Sequence, residues 1–589
     1  MNGGQDAQVR ARVLRVVIVA ALLILAGNLF VMMVPQHAHY EGKALRNRQD
    51  RFRVRAPRGR ILDRHGTIVA DNMFIADITV PSAALGAAGP DSTLERLLGW
   101  FDLPRAETLE RLAQQQERGR GRLVLVANAA MPQVAAVEER GRLLPGVRVE
   151  ARARRRYAYG ELLAHVVGHV GEVGQADLDT TGGVDGYRLG DQAGKQGVEA
   201  AWEERLRGFN GVKLEEVNAT GRIVGRGPVW LRDVVPGEDV TLSLSLPLQA
   251  SLTEAVGDRA GAAIALAVAT GQVLAAVSLP SFDPNLMTVT ISADDWDRLA
   301  KDPAKPFFNR IVQATYPPGS LYKPVTSLAG LHLGLVGPHS VLAPCNGGLQ
   351  FGDRFFRCWK REGHGSVDHV EAMTQSCDTF YYQLGLRLDI DQLAWAARAF
   401  GLGRRCTGIF PEEAEGNVPD AAWYDRRFGP RRWTRGVLLN NAIGQGELLT
   451  TPLQMAVLAG RLASDGRMPD PVFVIDPVAP AAPPPALPFA PEHLRWVRET
   501  LRETVADGTG RGGALPDVAV AGKTGTAQNP HGEDHAWFMA FAPAGAPEVA
   551  IAVILENAGS GGTEAAPVVR RWLADYFRLQ AEAEPGVLP

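Results

Sequence analysis

Hydrophobic and polar positions give the chain three textures. The first is the run VVIVAALLILAGNLFVMMV, Val16 to Val34, which is uncharged and follows Arg10, Arg12 and Arg15. A helix of this length rises roughly 28 Å, enough to cross the hydrocarbon of a bilayer. It predicts one spanning helix (16–34) behind a cytoplasmic tail (1–15), an uncleaved anchor because the apolar run is longer than a secretory signal's core and no clean Ala-x-Ala site follows. A cleaved signal peptide is the rival reading. Pro35 to Gly42 carries no Lys or Arg, and a large following domain translocates largely regardless of charge. The bulk of the chain is therefore expected outside the cytoplasm.

The second texture is polar and mixed. PRGRILDRHGTIVADN, Pro57 to Asn72, reads as two short strands around an Asp-Arg-His-Gly turn. LERLLGWF and VAAVEERGRLL read as helices, as do YGELLAHVVGHVGEV and GKQGVEAAWEERLRGFNG, each closed by glycine. DVTLSLSLP from Asp239 alternates as a strand and leads into a helix at Leu248 to Val256. The third texture starts at Gly261, where GAAIALAVATGQVLAAVSLP gives two apolar strands around a Thr-Gly turn. Long helical stretches follow, then strands near Ala536 to Leu555 and a helix near Val568 to Phe577. Pro469 to Pro491, rich in proline and alanine, reads as an extended surface connection. These segments predict an α+β multidomain chain: a first extracytoplasmic domain over 35–240, a second over 241–580, and a short tail over 581–589.

A length of 589 residues with 46% hydrophobic and 22% charged residues suits two or more folded domains and excludes wholesale disorder. A net charge of −3 gives no electrostatic case for nucleic acid as partner. The arginines of 46–60 and Arg152, Arg154, Arg155 and Arg156 could meet an anionic surface, but such runs are more often solvated faces. Only eight of the 62 basic residues are lysines, and a lysine, unlike an arginine, can lose its proton when desolvated.

Lysine chemistry matters in YPPGSLYKP, Tyr316 to Pro324. If a helix begins there, Ser320 and Lys323 share a face three residues apart, with Ser320 at the end where the helix dipole favours negative charge. An N-capping serine beside a solvated lysine is the bland alternative. SCD, Ser376 to Asp378, and KTGT, Lys523 to Thr526, follow in order. In that order the three motifs resemble those of the penicillin-binding, or SxxK acyltransferase, family. PRGRILDRHGTIVA, GKQGVEAAWEERLRG, SFDPN, NRIVQATYPPGS, IGQGELLTTPLQMA and AGKTGTAQ extend the resemblance to class B, monofunctional members, and the aspartate of SCD is closest to the elongation branch.

The resemblance implies an anchor helix, an elongated pedestal domain, and a transpeptidase domain with a central antiparallel sheet covered by helices on both sides. It also implies a peptidoglycan D,D-transpeptidase, inhibited by β-lactams, that cross-links stem peptides of lipid-linked nascent glycan. Ser320 would attack the D-Ala-D-Ala carbonyl with Lys323 as general base. Ser376 would relay the proton to the leaving D-alanine, and Asp378 would orient Lys323 or the substrate backbone. Lys523, Thr524 and Thr526, around Gly525, would hold the terminal carboxylate, and the amides of Ser320 and Thr526 would form the oxyanion hole. A carboxylate at 378 favours the charged form of Lys323 and so opposes its role as a neutral base. The alternative is that Asp378 is a helix cap. Implied partners are a SEDS-type, RodA-like membrane glycosyltransferase and other elongation-complex proteins, with Gly27 and Asn28 suited to helix packing in the membrane. A septal transpeptidase, a β-lactamase or carboxypeptidase, and a β-lactam sensor or scaffold are the competing readings.

No cofactor is needed for this chemistry. Cys345, Cys358, His364 and Cys377 nevertheless make a Cys3His set, the composition of a structural zinc site. A Cys345–Cys358 disulfide suits an oxidising compartment, and unlinked buried thiols are a third reading; Cys406 lies outside the set.

Overall fold

The computed structural model describes residues 3–81, 93–117, 122–144, 146–174, 178, 186–188, 191–216, 229–288, 293–430, 432–475, 484–530 and 532–583. All of the apolar run except Val34 lies in one helix, Gly3–Met33, whose described side chains are exposed, as a membrane anchor requires. The middle of the proline-rich connection (476–483) and the end of the tail (584–589) lie outside the described residues.

Two compact units interleave along the chain: Met1–Pro57, Met73–Arg154 and Gly208–Pro236 form one, and Arg58–Asn72, Arg155–Arg207 and Gly237–Pro589 the other. In the first unit, Gln49–Val54, Gly211–Glu216 and Val229–Arg232 form an antiparallel three-stranded sheet. A separate core gathers Ile78, Val80, Leu97, Leu98, Leu123 and Leu125.

The second unit opens with the expected hairpin, in which Ile61–Leu62 pairs with residues 68–70 and also with Val240–Thr241. That last ladder is only two residues long. The alternation of DVTLSLSLP therefore marks extended chain more than strand, and α1 (Leu246–Val256) follows it. Arg58 and Arg155 are not solvated. Glu199, fully buried, accepts from Arg58 Nε and Arg155 Nε at 2.6 Å each, and Arg58 also reaches Glu203 at 2.5 Å. The charge run concealed them because its sequence does not show which guanidinium meets a buried carboxylate.

The main sheet joins β1 (Gly261–Ala267), β2 (Val273–Leu279), β3 (Ala521–Ala527), β4 (His535–Ala542) and β5 (Val549–Leu555) in the antiparallel order β2-β1-β5-β4-β3. Its strands are apolar on both faces because both are covered. Ala262, Ile264, Trp537, Met539, Ala552 and Ile554 face one core, which also takes Met455, Leu458 and Leu462. Their neighbours Ala263, Ala265, Phe538, Ala540, Ile551 and Val553 face the other, with Leu252 and Val256 of α1 and Trp572 and Leu573 of the last helix, Ala566–Ala583. This two-core alternation is the period of a pleated strand, and it makes the expected layered sheet. The edge strand β3 leaves one side unpaired by other strands.

Candidate active site

Ser320 does not open an α-helix. It sits in a 3-10 turn, Gly319–Tyr322, and α2 begins at Lys323 (Lys323–His332). Pro324 at the start of α2 explains the offset, since its missing N–H falls where no intrahelical partner exists. Gly319 takes φ +56°, and a Cβ there would lie 2.7 Å from the Thr526 carbonyl oxygen. The turn therefore lies directly against β3, and only glycine fits.

Lys323 is fully buried, and among the described residues the hydrogen bonds of its ammonium converge on the second motif. Nζ donates to the Ser376 carbonyl at 2.8 Å, to Ser376 Oγ at 3.1 Å and to Asp378 Oδ1 at 2.7 Å. The Tyr381 ring lies 5.2 Å from the same nitrogen, within cation–π range. Ser376, at φ +55°, occupies the tight link between α3 (His369–Thr374) and α4 (Asp378–Gly385). Asp378 is the first residue of α4 and does not cap it; its second oxygen accepts from the Trp359 amide at 3.0 Å. The helix-cap reading is thus replaced by a buried ion pair. Trp359 also donates its indole N–H to the carbonyls of Gln375 and Ser376, at 3.1 Å each.

Lys523 on β3 is fully buried, and the one hydrogen bond of its ammonium among the described residues runs to the Thr524 carbonyl at 3.3 Å. Burial, and then the nearby charge of Lys323, push its pKa well below the ordinary lysine value, against an opposing pull from Asp378. Thr524 is buried with its hydroxyl on Thr509 at 2.8 Å, whereas Thr526 is exposed. A ligand can reach Thr526; the Thr524 hydroxyl is already engaged. Gly525 is packed too closely for a side chain, a Cβ there lying 2.5 Å from Leu321 Cδ1.

All four cysteines are free thiols. Cys345, Cys358, His364 and Cys377 bring their ligating atoms within 4.8 Å of one another. His364 Nδ1 lies 3.6 Å from Cys345 Sγ and 3.5 Å from Cys358 Sγ. A tetrahedron around zinc with ordinary Zn–S and Zn–N bonds has S···N edges of roughly 3.6 Å, so the donors fit. A hydrogen bond from Cys377 pulls the Cys358 pKa down to about 2, and the same contact pushes Cys377 up. Among the described residues His364 Nε2 is buried without a hydrogen-bond partner, so none of them braces ligation through Nδ1. Cys406 lies apart, beside Glu413 and Arg404.

Sequence reasoning passed over Trp359, Tyr381 and Gln445. Only the last had a signal, inside IGQG: its Nε2 donates to the Thr526 carbonyl at 2.9 Å.

Residues 261–574 match the family described as penicillin binding protein transpeptidase domain, and residues 53–242 the penicillin-binding protein dimerisation domain. The chain is 33% identical over 597 residues to the peptidoglycan D,D-transpeptidase MrdA of Acinetobacter baumannii, covering 96% of this chain and 87% of that one. A structure described as "Structural coordination of polymerization and crosslinking by a peptidoglycan synthase complex" contains a chain that is 31% identical (TM-score 0.73), covering 97% of this chain and 98% of that one. The penicillin-binding protein PBP2 of Helicobacter pylori, solved in complex with MreC, is 26% identical (TM-score 0.78), covering 90% of this chain and 99% of that one. The chain belongs to the class B penicillin-binding proteins, which join a dimerisation domain to a transpeptidase domain.

Proposed function

We propose that this protein is a peptidoglycan D,D-transpeptidase of the elongation type, held in the membrane by its first helix with the catalytic domain outside the cytoplasm. The observation that carries the reading is the convergence of the three motifs, with Lys323 three residues after Ser320, bonded to Ser376 and Asp378, and Lys523 close enough to feel its charge.

In this reading Lys323 first gives a proton to Asp378, its partner at 2.7 Å; Ser320 Oγ then attacks the carbonyl between the last two D-alanines of a stem peptide, and the Ser320 proton passes to the neutral Lys323 amine. Asp378 holds Lys323 in place and takes part in its proton exchange, because the two share a buried hydrogen bond. Ser376 Oγ, also on Lys323, hands the proton to the departing D-alanine. Lys523 and Thr526 receive the terminal carboxylate, while Thr524 braces the strand through Thr509. The amides of Ser320 and Thr526 stabilise the oxyanion. The amino group of a second stem then accepts the acyl chain, and a β-lactam enters by the same attack.

Zinc, held by Cys345, Cys358, His364 and Cys377, would be structural, because a closed four-ligand set leaves no position for substrate. It would fix Cys377, between Ser376 and Asp378. Partner readings rest on the relatives: one PBP2 was solved with MreC, and another chain comes from a peptidoglycan synthase complex. On this reading the polymerising partner is a RodA-like glycosyltransferase, together with other elongation-complex proteins.

The test is exchange of a labelled D-amino acid into a pentapeptide stem. Wild type should release D-alanine and incorporate the label, and Ser320→Ala should do neither. Release without incorporation would make the protein a carboxypeptidase instead.

A further inference from the structure

The IGQG segment lies outside the three motifs, yet it touches two of them. Gly444 takes φ +74° and accepts at its carbonyl from the Gly319 amide at 2.8 Å. A Cβ on Gly444 would stand 2.1 Å from the Gly319 carbonyl oxygen, so this turn and the nucleophile turn meet backbone to backbone. The next residue, Gln445, is buried, its amide is held by the Asn440 carbonyl at 2.9 Å, and its Nε2 donates to the Thr526 carbonyl.

That bond falls on the free edge of β3. In an antiparallel strand the N–H and C=O of one residue point to the same side, as the paired exchange of bonds between facing residues requires. The Thr526 carbonyl points at Gln445, so the Thr526 N–H shares that edge, beside the nucleophile turn. The position of a Cβ on Gly319 confirms the approach, 2.7 Å from Thr526 O and 3.4 Å from Thr526 N. An edge strand has no neighbouring strand to fix its height on this side. Gln445 supplies a fixed donor in that place.

We propose that Gln445 is a positioning residue that sets the spacing of the oxyanion hole. By tying the Thr526 carbonyl to a turn already locked on Gly319, it fixes the Thr526 amide relative to the Ser320 amide. The inference rests on the reading that Ser320 is the nucleophile and that these two amides receive the oxyanion. Gln445 acts through the Thr526 carbonyl, which is what its side-chain amide bonds. Its loss should slow the chemical step while leaving carboxylate capture by Lys523 and Thr526 intact.

The experiment measures acylation of the full-length protein in detergent by a chromogenic β-lactam over a concentration series, with thermal unfolding alongside. Gln445→Met keeps length and removes the donor; Gln445→Glu keeps shape and turns a carboxylate on the Thr526 carbonyl. Both should lower the limiting acylation rate by about 10- to 100-fold, the scale set by displaced catalytic groups and lost oxyanion stabilisation. The half-saturating concentration should stay within about twofold, as interactions confined to the transition state demand. Affinity for a boronic acid that forms a tetrahedral adduct on Ser320 should fall by a similar factor. A limiting rate equal to wild type in Gln445→Met overturns the inference. So does a rate loss in both variants matched by a rise in half-saturation and a collapse of the unfolding transition, which marks a purely structural residue. Failure of wild type to form any Ser320 adduct would overturn the underlying reading and this inference with it.

Discussion

Lys523 offers a quantitative test of how the site takes an anion. Its ammonium nitrogen is fully buried, its described hydrogen bond is to a carbonyl, and Lys323 adds a second positive charge nearby. Burial and that charge depress its pKa in the free enzyme, so the free site holds less than one proton at alkaline pH. A substrate or β-lactam carboxylate stabilises the ammonium and raises the pKa in the complex. Binding must then take up a proton wherever the pH lies between the two values. Linkage limits the effect to one proton, so affinity should strengthen by up to about tenfold for each unit that the pH falls through this window, then level off below the free-enzyme value. The perturbation is pH, with Ser320→Ala used to isolate noncovalent binding. Calorimetry in two buffers of different ionisation enthalpy, repeated from neutral to alkaline pH, should give, inside that window, binding heats that differ in proportion to the protons taken up. Lys523→Met should lose both the tight binding and the buffer dependence. Equal heats in both buffers, with affinity flat across pH, would refute the reasoning.

Three further outcomes follow from other parts of the fold. Glu199→Ala leaves Arg155 buried without its carboxylate and should cost about 3–5 kcal/mol in denaturant unfolding, the scale of a broken buried pair; a loss under about 1 kcal/mol contradicts the network. Burial alone would raise the Glu199 carboxyl, but Arg155 and Arg58 hold it below the usual range. Its contribution is therefore complete above a pH of about 4.3 and is lost as pH falls through the depressed folded value. Gly319→Ala places a methyl 2.7 Å from the Thr526 carbonyl at a positive φ, and β-lactam acylation should fall by about 100-fold. Metal analysis should find one zinc per chain, and chelation should lower both the unfolding temperature and the acylation rate. Absence of stoichiometric zinc would favour the unlinked thiols.

What the sequence made legible was whatever lies close together in the chain. Ser320 with Lys323, Ser376 with Asp378, and Lys523 with Thr526 each declare themselves as a short motif, and the strands of the main sheet show as apolar runs. The Cys3His set was legible as composition, but the choice between a bridge and a gathered cluster needed the distances around His364 Nδ1. Trp359 and Gln445 act through residues far away in sequence, at Asp378 and Thr526, and no local pattern encodes such contacts. The runs that hold Arg58 and Arg155 look like solvated faces in sequence, because a run of like charges conceals the buried Glu199 that receives them. The two-residue ladder at Val240–Thr241 shows the same limit: alternation predicts extension, while pairing depends on a partner at Ile61–Leu62.

The measurement that bears most directly on the central claim is the intact mass of the purified protein, wild type and Ser320→Ala, after exposure to a β-lactam. The account predicts a stable adduct of one β-lactam per chain on wild type, mapped to Ser320 and missing in the variant. An unmodified mass on folded wild type, or an adduct that survives in Ser320→Ala, would contradict it.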